Sequence, residues 1–172
     1  MAPDKDGELL RAKRLVFYKE DIGRIDKVLD DFLNLSGSKT NLLIDKEGHL
    51  VTKAGRTESY DLSTVSALVA GSFAATREMA RLLGEDEFTV LFHQGKRDNI
   101  QLTLIGERTI LATIFDNRTT IGMVRLYAKE AAQKLAKIFK ESEQRKSTGK
   151  KETIDEKFGK EAKGRLDDVL GQ

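Results

Sequence analysis

Apolar residues recur at three- and four-residue spacing in the first interpretable stretch of the chain, with aspartates and lysines between them. This spacing places them on one face of a helix that begins near Phe17 and ends at Gly37, a natural C-terminal stop. The apolar positions are Ile22, Ile25, Val28, Leu29, Phe32 and Leu33. Residues 1–16 before this helix are rich in charge, and we expect them to form an extension outside the domain.

Short apolar runs separated by polar breaks predict two groups of strands. Leu42–Asp45 and Leu50–Ala54 flank Lys46-Glu47-Gly48-His49, and a glycine within such a short polar break is typical of a β-hairpin. A second group of runs has equally tight connections that contain glycine. Its members are Phe88–Phe92, Ile100–Ile105 and Thr109–Phe115. Tight connections within each group favour antiparallel pairing.

Two longer segments carry helical signals. Asp61-Leu62-Ser63-Thr64 is rich in N-cap side chains and opens a run to Leu83, which Gly84 closes. A third helix is predicted to begin near Ile121. The order is therefore helix, two strands, helix, three strands, helix. It predicts an α+β domain with helices on one or both faces of an antiparallel sheet, and not a doubly wound nucleotide-binding sheet.

The C-terminal residues predict a separate element. Residues 146–152 form a polar linker, and residues 153–172 then show the pattern of an amphipathic helix. Thr153 and Glu156 fit a capping box. The apolar face comprises Ile154, Phe158, Ala162, Leu166, Val169 and Leu170. Gly159 and Gly164 weaken a helix of this length in isolation, so we expect it to form on contact with its own domain or a partner. A tail without a docking site is the alternative.

Composition excludes several classes of function. The chain has 172 residues with 30 basic and 28 acidic side chains, a balance that does not indicate nucleic-acid binding. Cysteine is absent, which excludes disulfides and thiolate catalysis. No apolar stretch approaches the roughly 20 residues that cross a bilayer. The charged N-terminus lacks the apolar segment of a signal peptide, so we expect a cytoplasmic protein.

Motifs for catalysis are also missing. The glycine-lysine pair Gly149-Lys150 lacks the spacing and the following Ser or Thr of a phosphate-binding loop, so the chain is not itself a GTPase or kinase. His49 and His93 are the two histidines, and their positions in a turn and at a strand end do not predict a metal site or a catalytic dyad. We therefore expect no metal, no cofactor and no enzymatic activity.

The second predicted helix carries a stripe of small residues that suggests a partner. The stripe comprises Ala67, Ala70, Gly71, Ala74 and Ala75. Gly71 costs about 1 kcal/mol of helix propensity relative to alanine, so its presence indicates close packing. The alternative is that the stripe packs on the chain's own sheet or third helix. Larger apolar residues of the same run are expected to pack against the sheet. They are Val65, Leu68, Val69, Met79, Leu82 and Leu83.

Four segments resemble a known family. Asn41–Gly55 (NLLIDKEGHLVTKAG) is similar to the first hairpin of Roadblock (dynein light chain-like) domains, and Asp61–Glu85 to their central helix. Phe92-His93-Gln94-Gly95 and Ile114–Leu126 (IFDNRTTIGMVRL) resemble the MglB branch of that family. The resemblance extends from about Phe17 to Lys140, and we assign residues 17–145 to a Roadblock domain.

The resemblance implies a five-stranded antiparallel sheet with the central helix on one face and the first and last helices on the other. It also implies a homodimer in which the third strands pair across a two-fold axis. Phe88, Val90 and Phe92 would then belong to an edge strand whose backbone groups are satisfied by the second copy.

MglB-like proteins activate a Ras-like GTPase, MglA, that controls bacterial cell polarity and motility. The resemblance places the GTPase on the stripe of small residues, beside Arg77 and Glu78, which are bulkier than in some relatives. It also implies GTPase contacts from the C-terminal helix. Those residues would be Ile154, Phe158, Leu166, Val169 and Leu170.

The family supplies no arginine finger. Arg77 and Arg81 could reach a nucleotide in principle, but a surface or ion-pair role is the favoured interpretation, as is a structural role in a turn for Arg118. A Roadblock scaffold that binds a GTPase or other proteins without stimulating hydrolysis is the alternative function. A membrane-surface tail is less well supported, because the C-terminal segment has mixed charge and no basic face.

Overall fold

A computed structural model describes the backbone of residues 21–170 and the side chains of residues 21–147, so the extension predicted for residues 1–16 lies outside the described residues. The elements follow the predicted order. They are α1 (Ile22–Ser36), β1 (Thr40–Asp45), β2 (Leu50–Gly55), α2 (Leu62–Leu82), β3 (Val90–His93), β4 (Asn99–Ile105), β5 (Thr109–Phe115) and α3 (Ile121–Leu170). The α+β class is confirmed.

The strands form one five-stranded sheet in the order β2-β1-β5-β4-β3, and every neighbouring pair is antiparallel. β5 occupies the centre, and all seven of its residues are buried. β3 is an edge strand, as the sequence predicts, but it begins at Val90 and excludes Phe88. Its outer side presents backbone groups that no other described strand pairs.

One face of the sheet packs against α2. Strand alternation directs the even-numbered residues of β1, β4 and β5 to this face, where they surround Val69 and Phe73. The buried strand residues of this cluster are Leu42, Ile44, Leu102, Ile110 and Ala112. Phe88 packs against them from the segment before β3, with its ring 5.1 Å from that of Phe73. Packing of this aromatic side chain into the core draws it away from the strand edge.

The opposite face is covered by α1 and the first part of α3. The Thr52 hydroxyl on β2 donates to the Asp26 carboxylate on α1 over 2.6 Å. Gly37 ends α1 at φ +70°, and the hydroxyl of Thr119, just before α3, donates to the Ser36 carbonyl over 2.6 Å. These contacts fix the entry of α3, and helices on both faces of the sheet are therefore confirmed.

The backbone of α3 is helical without interruption from Ile121 to Leu170. It therefore runs through residues 146–152, which the sequence predicts as a linker, and through Thr153, so no capping box begins a helix there. The physical reason is that this stretch contains no proline and one glycine, Gly149, whose cost of about 1 kcal/mol does not stop a helix.

The chain divides into two compact units, Met1–Ile138 and Phe139–Gln172. The predicted C-terminal contacts belong to the second unit, where the backbone is helical but the side chains lie outside the described residues. They are Ile154, Phe158, Leu166, Val169 and Leu170. Neither α3 nor any other described helix has an apolar stretch long enough to cross a membrane.

Candidate partner-binding surface

Local hydrogen bonds set both ends of α2. The Asp61 carboxylate accepts from the backbone N–H of Thr64 over 3.3 Å and from its hydroxyl over 2.7 Å. These hydrogen bonds, led by the one from the hydroxyl, hold the pKa of Asp61 below its usual value. At the other end Gly84 adopts φ +85°, and the Glu85 N–H bonds the Ala80 carbonyl over 2.9 Å. Together these hydrogen bonds provide partners for N–H and C=O groups that the two ends of a helix otherwise leave unpaired.

The inner face of α2 is narrow. It buries Ser66, Val69, Ala70 and Phe73. Ala70 is 6% exposed, so it lies inside the fold and does not belong to the exposed stripe in which the sequence analysis placed it. Helical geometry explains the correction, because Ala70 follows Val69 by one residue and precedes Phe73 by three, which places it over the sheet.

The outer face of α2 presents two rows of residues at helical spacing. The small row consists of Ala67, Gly71 and Ala74, and all three residues are exposed. The apolar row consists of Leu68, Ala75, Met79 and Leu82. Leu68 is 65% exposed, Met79 56% and Leu82 74%.

The apolar row corrects the expectation that the larger residues pack on the sheet. That expectation was wrong for Leu68, Met79, Leu82 and Leu83, all of which are exposed. At about 100° per residue Leu68, Met79 and Leu82 point away from an inner face centred between Val69 and Phe73, whereas Leu83 lies just beyond the end of α2. The members of the row are seven, four and three residues apart, a helical spacing visible in the sequence, but the pattern alone did not show which apolar face meets the sheet.

Gly71 has no packing role within the described part of the chain. A Cβ added there would meet no atom within 4 Å. Ala67 differs, because its Cα would lie 2.9 Å from a Cβ added at Gly48, so the β1–β2 turn packs closely behind it. The explanation that the stripe packs internally therefore applies to Ala70 and in part to Ala67, while Gly71 and Ala74 remain open to a partner.

A recess of about 420 Å³ adjoins the small row. Ala74 and Arg77 stand on its α2 side, and Phe73, Phe88 and Ile110 contribute apolar surface. A side chain from a partner bound over Ala74 would have this recess beneath it.

Arg81 and Glu78 form an ion pair on the exposed side of α2. The Arg81 Nη2 lies 2.6 Å from Glu78 Oε1, and its Nε lies 3.1 Å from Oε2. This hydrogen bonding raises the pKa of Arg81 and lowers that of Glu78. Arg77, by contrast, has no ion-pair partner among residues 21–147.

Arg118 contacts Asp116 in the turn before α3. Its Nη2 lies 2.9 Å from an Asp116 carboxylate oxygen, and its backbone N–H donates to the other oxygen over 3.1 Å. These contacts, led by the side-chain hydrogen bond, lower the pKa of Asp116. The arginine is thereby held against the turn that connects β5 to α3.

The three residues assigned to the dimer edge occupy different environments. Val90 is 42% exposed on β3. Phe92 is half-buried and stacks on Phe115 with ring centroids 6.1 Å apart. Phe88 precedes the strand and packs under α2. Among the three, Val90 is the most accessible to a second copy.

The β1–β2 turn brings Asp45, Glu47 and His49 together, with potential ligand atoms within 4.8 Å of one another. The Asp45 carboxylate accepts from the backbone N–H groups of Glu47 and His49 over 2.9 and 3.1 Å, and lies 3.2 Å from His49 Nδ1. These bonds account for the cluster as a brace of the turn.

Comparisons with known proteins identify similar sequences and structures. The model of the Roadblock/LC7 domain family matches residues 24–115. Myxococcus xanthus MglB is similar at 41% identity, with 69% of this chain and 96% of that chain covered and a TM-score of 0.67. The gliding protein MglB of Thermus thermophilus is 35% identical over 69% of this chain and 90% of its own, with a TM-score of 0.65. An MglB structure described with a tetrameric arrangement is also 35% identical, covering 70% and 90%, with a TM-score of 0.66.

Proposed function

The chain belongs to the Roadblock/LC7 domain family, and from this premise we propose that it is a homodimeric, MglB-like regulator of a Ras-like GTPase of the MglA type. It accelerates GTP hydrolysis by its partner in the cytoplasm and contributes to bacterial cell polarity or motility. The observation that carries the proposal is the outer face of α2, which exposes a small row beside an apolar row on a chain 41% identical to an MglB.

The apolar row and the β3 edge form the homodimer in this proposal. Exposed side chains the size of Leu68, Met79 and Leu82 each stabilise an interface by roughly 1.5–3 kcal/mol when fully buried. The free edge of β3 pairs with the same edge of the second copy, which satisfies its backbone groups. Both contacts are self-complementary, as a two-fold interface requires.

The small row receives the GTPase. Gly71 and Ala74 carry little side chain, so a flat surface or a loop approaches the helix backbone closely. A dimer that binds the switch loops best in their GTP-bound conformation shifts the GTPase toward that conformation. Hydrolysis then accelerates because residues of the GTPase itself are aligned to stabilise the transition state.

This mechanism requires no arginine finger from the chain. Arg81 is engaged by Glu78 and Arg118 by Asp116. The C-terminal helix makes a separate contact with the GTPase through Ile154, Phe158, Leu166, Val169 and Leu170, and it modulates nucleotide exchange.

GTP hydrolysis by the MglA-like GTPase of the same organism tests this proposal. Initial rates are measured with and without the chain, in parallel with a chain that ends at residue 145. We expect strong stimulation by the full chain, and the difference between the two chains measures what the tail adds. GTP-dependent binding without stimulation would instead support a non-catalytic Roadblock scaffold.

A further inference from the structure

A second concave surface lies on the face of the sheet opposite α2. It is a groove of about 650 Å³ between α3 and the β3–β4 side of the sheet, which we call the α3–β3 groove. Its wall and floor include Val90, Phe92, Gln101, Thr103, Ala132 and Ala136. Strand alternation directs Gln101 and Thr103 away from α2, so the groove is separate from the surface assigned to the GTPase.

The floor of the groove contains a polar group without a partner. Gln101 is 1% exposed, and its amide nitrogen donates to the Thr103 hydroxyl over 3.3 Å. Its Oε1 accepts no hydrogen bond from any described residue. A buried acceptor left without a partner lowers the stability of the fold. Because this oxygen has almost no accessible surface, ligands contact the apolar wall and the rim of the groove instead.

The rim of the groove on α3 is basic. Arg125 and Lys129 line it at a spacing of four residues and are exposed. Neither has an ion-pair partner among residues 21–147. The surrounding part of α3, from Ile121 to Lys140, has the charged residues Arg125, Lys129, Glu130, Lys134, Lys137 and Lys140. Five of these six side chains are basic, so the local field favours an acidic ligand.

The α3 wall leaves room for side chains. Ala132 and Ala136 are half-buried and lie one turn apart, opposite Val90 and Phe92. Leu126, three residues before Lys129 and therefore beside it on the helix, is 54% exposed and extends the apolar surface beyond the rim. The groove thus combines an apolar interior, a hydrogen-bond acceptor buried beneath its floor, and two basic side chains that have no ion-pair partner among residues 21–147.

We infer that the α3–β3 groove binds an acidic segment of another polypeptide, with apolar side chains that enter the groove and carboxylates that pair with Arg125 and Lys129. A flat anionic membrane supplies charge but does not insert side chains into a concave groove. Because the groove and the small row of α2 lie on opposite faces of the sheet, the peptide does not cover the surface of α2 that is proposed to bind the GTPase.

A phage-displayed library of random 12-residue peptides, selected on the immobilised full chain, tests this inference. We expect enriched peptides that combine Glu or Asp with Leu, Ile or Phe. Synthetic copies should bind at least tenfold more weakly to the double variant Arg125→Glu/Lys129→Glu, and peptides with lysine in place of the acidic residues should bind that variant better than the original chain.

Three control proteins locate the site. Lys134→Glu/Lys137→Glu alters the same helix at exposed residues that do not line the groove, and should leave peptide binding unchanged. Ala132→Trp fills the groove and should abolish binding, with its circular dichroism and melting temperature compared with those of the unchanged chain. Gly71→Arg, which disables the α2 surface, should retain the peptides, and this separates the present inference from the proposed function.

Several results would overturn the inference. The selection could enrich no acidic peptide. The enriched peptides could bind Ala132→Trp as tightly as they bind the unchanged chain, or they could fail to bind Gly71→Arg. Phosphatidylglycerol vesicles are tested by co-sedimentation. Vesicle binding that depends on Arg125 and Lys129, without selection of acidic peptides, would assign the basic rim to a membrane.

Discussion

The guanidinium of Arg81 and the carboxylate of Glu78 lie 2.6 Å apart at their closest atoms, on the exposed side of α2 and one turn from Ala74. Two guanidinium nitrogens share the two carboxylate oxygens, which is the geometry that suits arginine best. An arginine that contacts a nucleotide must first give up such a pair. Under the proposed mechanism Arg81 keeps this exposed pair, and this part of α2 offers a surface to the GTPase rather than a cation to its phosphates.

Arg81→Ala and Arg118→Ala should therefore leave stimulated GTP hydrolysis close to its original rate. An arginine finger is worth about 10³–10⁵ in rate, so the two roles are easily separated. Single-turnover hydrolysis and GTPase binding are measured for each variant, and Arg77→Ala is included because Arg77 has no ion-pair partner among the described residues. A loss of stimulation by orders of magnitude with binding intact, in any of the three, would show that a finger exists.

Ala74→Arg should block GTPase binding, because a long charged side chain on the small row holds the partner away from the helix. The chain should remain folded and dimeric, since Ala74 is exposed and outside the apolar row. Gly23→Arg is the matched control, because position 23 is exposed on α1 and has no atom within 4 Å of an added Cβ. Binding is measured by titration with the GTP-loaded GTPase, and equal affinity of the two variants would assign the GTPase to another surface.

Leu68→Lys and Leu82→Lys should each convert the dimer to a monomer, because each places a charge in the apolar interface that the proposal assigns to α2. Mass is measured by light scattering after size exclusion over a range of concentrations. Leu35→Lys is the control, since Leu35 is also an exposed leucine, 50% accessible on α1, and has no part in the proposed interface. Dissociation by all three substitutions would indicate a general loss of solubility or folding, and dissociation by none would remove α2 from the dimer.

The sequence predicted the order of the elements because each carries a local signal. Asp61 and Gly84 bound α2, and the glycine-containing breaks separate the strands. The environment of individual side chains is set by packing between elements far apart in the chain, and this part was predicted less well. Ala70 and Gly71 are adjacent small residues in one stripe, yet the sheet covers the first and leaves the second open. Phe88 has a residue type common in strands, yet it lies before β3 and its ring packs on that of Phe73.

Phe73→Ala should lower the free energy of unfolding by about 3–5 kcal/mol, the usual cost of a cavity left by a buried phenylalanine. Phe73 is 3% exposed and packs in the cluster under α2, where it also contacts Phe88. Urea unfolding followed by circular dichroism measures the change. Phe73→Leu keeps most of the volume and should cost much less. A cost for Phe73→Ala below about 1 kcal/mol would show that α2 is not held by this cluster.

The cap of α2 should make the free energy of unfolding of the chain fall as the pH becomes acidic. Hydrogen bonds from Thr64 lower the pKa of Asp61 in the folded chain, so its charged form is favoured by folding. The contribution is present above the pKa of an unfolded aspartate and is lost as the pH falls through the lower folded pKa. Asp61→Ala should therefore melt at a lower temperature than the original chain at neutral pH. The difference between the two melting temperatures should disappear as the pH becomes acidic.

Asp61→Asn distinguishes the charge from the hydrogen bond. Asparagine caps helices about as well as aspartate but does not titrate, so its advantage over Asp61→Ala should persist across the acid range. Differential scanning calorimetry of the three proteins at matched pH values provides the measurement, and subtracting the Asp61→Ala curve removes the titration of all other carboxylates. A difference between the original chain and Asp61→Ala that stays constant from neutral to acid pH would mean that the ionised carboxylate is not what holds the first turn of α2.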